Sequence, residues 1–156
     1  MGKSLARVGA AIESAGLACE ILEMPGETRT AGDAAREAGC EVDQIAKSIV
    51  FRGVKSDSVV LFITAGGNRV DGEKASAAAG EALGRADANF VRDKTGFAIG
   101  GVAPIGHLTP SHVFLDPKLL EYAVVYAAAG TPRHIFAVAP TRLVEISGAK
   151  VAEFTT

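Results

Sequence analysis

The sequence predicts an α+β domain with a mixed, mostly antiparallel sheet. Three observations lead there. Short runs rich in Val, Ile and Phe alternate with segments of helical period. The loops between neighbouring runs are short, which favours antiparallel neighbours over crossover connections. The 156 residues, 48% of them hydrophobic, form one domain's worth of chain with a core of its own.

Each element follows from local chemistry. Ser4 is placed to cap a first helix whose Leu5, Val8, Ile12 and Ala15 share a face, with Gly16 as its end. Residues 18–24 (ACEILEM) read as a short strand stopped by Pro25-Gly26. Thr30 caps a second helix that ends at Gly39, with Asp33 in its first turn. Residues 44–52 and 58–64 are strands, and the linker 53–57 joins them as an antiparallel hairpin. The Ala-rich stretch 72–83 is predicted helical. Downstream, 113–115 is a strand and Asp116-Pro117 opens a helical turn. The runs 122–128 and 134–139 pair as strands, and 140–146 closes the chain as a helix ended by Gly148. No repeat, low-complexity tract or interdomain linker interrupts residues 1–156.

Composition excludes several classes. With a formal charge of −2 and a pI near 5.9, the chain has no global basic field, so a nucleic-acid partner must be held by a local patch. Cys19 and Cys40 have neither CxxC nor metal-ligand spacing and read as small hydrophobes, so no metal is expected. The N-terminal residues contain no sustained apolar run, and neither a signal peptide nor a membrane span is expected. The expected compartment is the cytoplasm.

Two features carry chemistry. Residues 89–107 (NFVRDKTGFAIGGVAPIGH) open with charge and then shed it for Gly96, Gly100, Gly101, Pro104 and Gly106. Such a run reads as poor helix and poor strand. It suits a backbone that approaches a ligand and aims its own N–H groups at it. A structural turn is the plainer alternative. The second feature is Lys47, inside an otherwise apolar run on the face of Ile45, Ile49 and Phe51. An ammonium there must snorkel, find a carboxylate or grip an anion. His107 directly follows the glycine run and is the histidine with the best claim to a site, although a backbone hydrogen bond fixing the loop would equally explain it. His112 and His134 read as structural. Residues 93–96 (DKTG) echo an ATPase phosphorylation signature, but Phe97 breaks it; no phosphate loop or dinucleotide fingerprint occurs.

Taken together, residues 44–51 (QIAKSIVF), 65–71 (AGGNRVD) and 100–104 (GGVAP) resemble the YbaK and prolyl-tRNA-synthetase-associated editing domains, in order and spacing over roughly residues 28–148. The resemblance implies one domain with a barrel-like sheet surrounded by helices. It implies a freestanding deacylase that hydrolyses the ester of mischarged aminoacyl-tRNA, in the first instance tRNA(Pro) carrying Ala or Cys, with no cofactor. Lys47 matches the family's essential lysine, and Gly100, Gly101, Val102, Ala103 and Pro104 match its GxxxP loop. His107 falls where some members place a pocket residue, and Asn68, Arg69 and Asp71 match a recurring turn. The N–H groups of Gly101 to Ala103 would cradle the developing oxyanion while Lys47 holds the terminal ribose or phosphate. The expected partner is the acceptor end of tRNA, with a synthetase or elongation factor as recruiter for an acidic chain; neither DNA nor membrane is expected. A non-catalytic aminoacyl- or nucleotide-binding module and a small-molecule ester hydrolase are the alternatives.

Overall fold

The computed structural model describes residues 3–27 and 30–156. Met1, Gly2, Thr28 and Arg29, the last two at the start of the region of resemblance, lie outside the described residues. The chain runs α1 (Lys3–Ser14), β1 (Ile21–Glu23), α2 (Ala31–Ala38), β2 (Ile45–Gly53), β3 (Val59–Ala65), α3 (Gly72–Ala79), β4 (Leu83–Arg85) and α4 (Ala88–Thr95). It continues through β5 (Ser111–Leu115), β6 (Val125–Thr131), β7 (His134–Val138), α5 (Pro140–Ser147) and β8 (Lys150–Val151).

The eight strands form one sheet in the order β1-β7-β6-β2-β3-β5-β8, with β4 on β2. The pairs β2–β3 and β6–β7 are antiparallel, as the short linkers require. The pairs β2–β6, β3–β5 and β5–β8 are parallel, because β6 and β5 reach their partners only after helices and loops intervene. No pairing joins β1 to β8 among the described residues, so the sheet is open where a barrel-like one is expected.

β3 is the buried spine: every residue from Val59 to Ala65 is buried. A near-continuous apolar run is what a strand covered on both faces needs, and the one polar side chain, Thr64, donates its hydroxyl to the Phe62 carbonyl at 3.0 Å. Leu61 and Ile63 face the larger core with Val8 and Ile12 of α1, Val91 of α4 and Leu143 of α5. Val60 and Phe62 face a smaller core with Ala75, Phe114 and Phe154. Full burial of such a side chain contributes about 1.5–3 kcal/mol.

Caps set most helix ends as expected. Thr30 accepts a hydrogen bond from the Asp33 N–H, Asp116 from the Lys118 N–H, and Gly39 and Gly148 close their helices in the left-handed region. Five details differ. The strand expected at 122–128 is β6, Val125–Thr131, so only residues 132–133 separate it from β7. Ser4 lies within α1 and does not cap it. Residues 88–95 are helical, because Asp87 accepts from the Phe90 N–H and Gly96 closes the last turn. The Ala-rich helix stops at Ala79 with Gly80 as C-cap, so Leu83 begins β4 beside β2. The brief strand β8 completes the far edge on β5.

Candidate active site

β2 pairs with β6 only through Ile45–Tyr126 and Ala46–Ala127, then parts from it. Lys47 is the first β2 residue past that pairing. A cleft of about 230 Å³ opens there. Lys47 and Ile49 form one wall, Thr30, Ala31 and Ala34 another, and Gly100 and Val102 of the glycine loop a third. Tyr126, Ala128, Thr131, His134 and Ile135 close the side opposite β2. Two segments separated by some fifty residues in sequence are thus brought to one cavity.

The Lys47 ammonium donates to the Asn68 carbonyl at 2.6 Å and to the Gly66 carbonyl at 3.2 Å. An ammonium carries three donors, so these bonds orient it and leave one N–H for a ligand. Burial pushes the Lys47 pKa down, and the nearby Arg69 charge adds to that; Asp43 and Asp116 oppose it. The turn supplying those carbonyls is itself tied down. Asn68 Nδ2 donates to Asp116 Oδ2 at 2.8 Å, and the buried Asp116 carboxylate also accepts from the Ala65 N–H at 3.1 Å. Asp43 Oδ1 accepts from the Gly67 N–H at 2.8 Å. Neither Asn68 nor Arg69 lines the cleft; Asn68 acts through Lys47, and Arg69 is an exposed neighbour. Asp71 caps α3, accepting from the Glu73 and Lys74 N–H groups.

The loop is shaped by two glycines with different reasons. Gly100 has a φ of +93°, a conformation that L side chains rarely adopt. At Gly101 a Cβ would stand 2.8 Å from Thr131 Cα, so the glycine lets two main chains touch. The Gly101 N–H donates to the Ala98 carbonyl at 3.0 Å. It is therefore spent on the turn, and the expected role of Gly101 as an oxyanion donor does not fit. Among the described residues the N–H groups of Gly100, Val102 and Ala103 have no protein acceptor. Of these residues, Gly100 and Val102 line the cleft, whereas Ala103 is fully buried.

Pro104 and His107 lie on the other side of the loop, against a second cavity lined also by Ala11 of α1 and Ile146 of α5. His107 is not a wall of the Lys47 cleft. Its Nε2 is 2.6 Å from the Ala103 carbonyl, which can only accept, so Nε2 carries the proton. Nδ1 of the neutral ring then accepts from the Ser111 hydroxyl at 2.8 Å. Burial lowers the His107 pKa; the Ala103 bond opposes the shift and the Arg7 charge reinforces it. This histidine is a staple that holds the loop from behind.

The sequence gives no role to the wall opposite β2, and the structure puts a polar pair there. His134 is buried at 8% exposure, and its Nδ1 shares a 2.6 Å hydrogen bond with Thr131 Oγ1. Its Nε2 stands 3.7 Å from Glu23 Oε2. Inside an apolar strand a histidine reads as structural; only the parting of β2 from β6 exposes this one to a cavity. No group of three or more His, Cys, Asp or Glu side chains among the described residues could hold a metal. No described helix is long and apolar enough to cross a membrane.

Residues 25–146 match the model of the aminoacyl-tRNA editing domain. YwhH of Bacillus subtilis, a protein without an assigned function, is 33% identical over 132 residues, which cover 85% of this chain and 83% of that one. A protein of Enterococcus faecalis named "Putative Cys-tRNA(Pro)/Cys-tRNA(Cys) deacylase EbsC" is 27% identical over 130 residues, covering 81% of this chain and 77% of that one. A crystal structure described as "a putative trans-editing enzyme for prolyl tRNA synthetase" superposes with a TM-score of 0.93 at 44% identity, covering 100% of this chain and 99% of its own.

Proposed function

Since the chain belongs to the aminoacyl-tRNA editing domain family, we propose that its cleft hydrolyses the ester of mischarged tRNA, acting in trans on tRNA(Pro) that carries a small near-cognate residue such as Ala or Cys. The observation that carries this reading is the meeting of Lys47, Gly100 and Val102 in one cavity of about 230 Å³. That is below the roughly 300–1,000 Å³ of sites for drug-sized ligands, and it fits a small acyl group at the end of a larger molecule.

An aminoacyl ester is already activated, so hydrolysis needs positioning and stabilisation of the developing oxyanion more than a strong nucleophile. The N–H groups of Gly100 and Val102 serve as those donors, each worth about 3 kcal/mol at the transition state when well aimed. Lys47, oriented by Gly66 and Asn68, offers its remaining N–H to the terminal ribose or phosphate. Because the ammonium is partly desolvated, an anionic or polar oxygen replaces solvation that folding has removed. Small walls at Ala31, Ala34 and Ala128 set the size limit, and Thr131 and His134 present polar atoms to the aminoacyl group. A synthetase discriminates by only about 1–3 kcal/mol per methylene, and a separate size-selective hydrolase answers that limit. The −2 charge favours recruitment by a synthetase or elongation factor over tight tRNA binding by this chain alone.

The test is a panel of tRNA(Pro) charged with Ala, Cys or Pro, incubated with the protein, with free aminoacyl esters as a further arm. Hydrolysis of the Ala or Cys form with Pro-tRNA spared supports the proposal. Activity on free esters but not on tRNA identifies a small-molecule esterase, and activity on neither identifies a binding module.

A further inference from the structure

Helix α1 provides no wall of the cleft and lies outside residues 25–146, the span that matches the family model. Its Arg7 nevertheless crosses to the glycine loop. Nε donates to the Gly106 carbonyl at 3.1 Å, and Nη2 donates to the Gly96 carbonyl at 2.9 Å with the Thr95 carbonyl at 3.4 Å. The guanidinium carbon stands 4.8 Å from the centre of the Phe97 ring. These contacts grip the loop at both ends, with Gly100 to Val102 between them. The helix backbone abuts the same region: a Cβ on Gly106 would meet the Arg7 carbonyl oxygen at 3.5 Å, and one on Gly130 would meet that of Ser4 at 2.9 Å.

A planar fork of five donors suits this task, since one side chain can hold several carbonyls in fixed relation. A lysine at the same place is a point charge on a flexible stem and cannot span the two ends. On the same α1-facing side, His107 holds the Ala103 carbonyl. The loop is thus held at its two ends by a cation on α1 and within its length by an imidazole of its own.

We propose that Arg7 is a positioning residue for the reaction, setting where the Gly100 and Val102 amides stand relative to Lys47. The activity part rests on the deacylase reading; the clamp itself does not. A displacement of about 1 Å in a reacting constellation costs on the order of a hundredfold in rate, so the loss of a clamp at both ends of the loop is large enough to measure.

The experiment compares the parent chain of residues 1–156 with Arg7→Ala and Arg7→Lys by single-turnover deacylation and by amide hydrogen exchange. For Arg7→Ala, the maximal rate falls by about tenfold or more while half-saturation moves less than about twofold, the pattern of lost transition-state geometry. Millimolar methylguanidinium restores part of the rate and methylammonium does not, and Arg7→Lys lies between parent and alanine. Exchange in residues 96–107 quickens while that of β3 stays as in the parent. Parental rate in Arg7→Ala overturns the proposal, whether or not loop exchange changes. Quickened exchange in the loop and β3 alike, without rescue by methylguanidinium, also overturns it, since Arg7 then serves general stability. If the parent deacylates no tRNA, the functional reading fails, and the exchange data alone decide whether Arg7 holds the loop.

Discussion

Lys47 Nζ lies 2.6 Å from the carbonyl oxygen of Asn68, a residue of the turn that follows the neighbouring strand. The bond shows how a lysine is tolerated in an apolar strand: main-chain oxygens take part of its hydration while its charge remains beside a cleft. Lys47→Ala is therefore expected to lose roughly a hundredfold or more of single-turnover deacylation, with a stability cost of only about 1–3 kcal/mol for the two charge-assisted bonds. Rate measurements paired with denaturant unfolding check both halves. A parental rate removes Lys47 from the mechanism.

The contact of Gly101 with Thr131 makes a sharp steric prediction. In Gly101→Ala the new methyl would sit 2.8 Å from Thr131 Cα, against main chain that cannot swing aside. We expect a loss of about 1–3 kcal/mol in unfolding free energy, typical of overpacking, together with slower deacylation as the loop shifts. Unaltered stability would show that the loop and β6 are not in this contact.

Substrate size is set by the small walls. Ala128 is half-buried in β6 and lines the cleft, and valine suits a strand. Ala128→Val is expected to spare Ala-tRNA(Pro) and to cut kcat/KM for the larger accepted side chains by about 10- to 200-fold, the range for a methylene-sized change in a pocket. Equal effects on all substrates would separate Ala128 from selection.

Burial lowers the pKa of His107 below its ordinary value of 6.5. The unfolded chain then binds the proton more readily than the folded one. The stabilising contribution is fully present above the unfolded pKa and is lost as pH falls through the lower, folded pKa. Thermal midpoints should thus drop between neutral pH and about pH 5 by more in the parent than in His107→Gln, which cannot take up the proton. Identical pH profiles for parent and variant would contradict the neutral staple.

Much of this was legible in the chain. The hairpin of β2 and β3, the caps at Thr30 and Asp116 and the terminators at Gly39 and Gly148 follow from local rules, and the structure has them. The pairing of Lys47 with the glycine loop rested on resemblance, and the cavity brings the two together. Other features depend on long-range packing that a sequence does not display. Whether the Gly101 N–H faces a ligand or the Ala98 carbonyl is decided by a turn. Which side of the loop His107 takes depends on where Ser111 begins β5. His134 gains a cavity only because β2 leaves β6 after Ala46. The helix at 88–95 had a readable cap in Asp87, which the glycines downstream obscured.

The most direct measurement is an amide chemical-shift map of the 15N-labelled protein titrated with a non-hydrolysable alanyl-adenosine amide, the stable mimic of the charged tRNA terminus. Saturable shifts are expected to concentrate at Lys47, Gly100, Val102 and Ala128, with the amides of β8 unmoved. Saturable shifts on another face, with those four residues silent, would contradict the cleft as the site of binding.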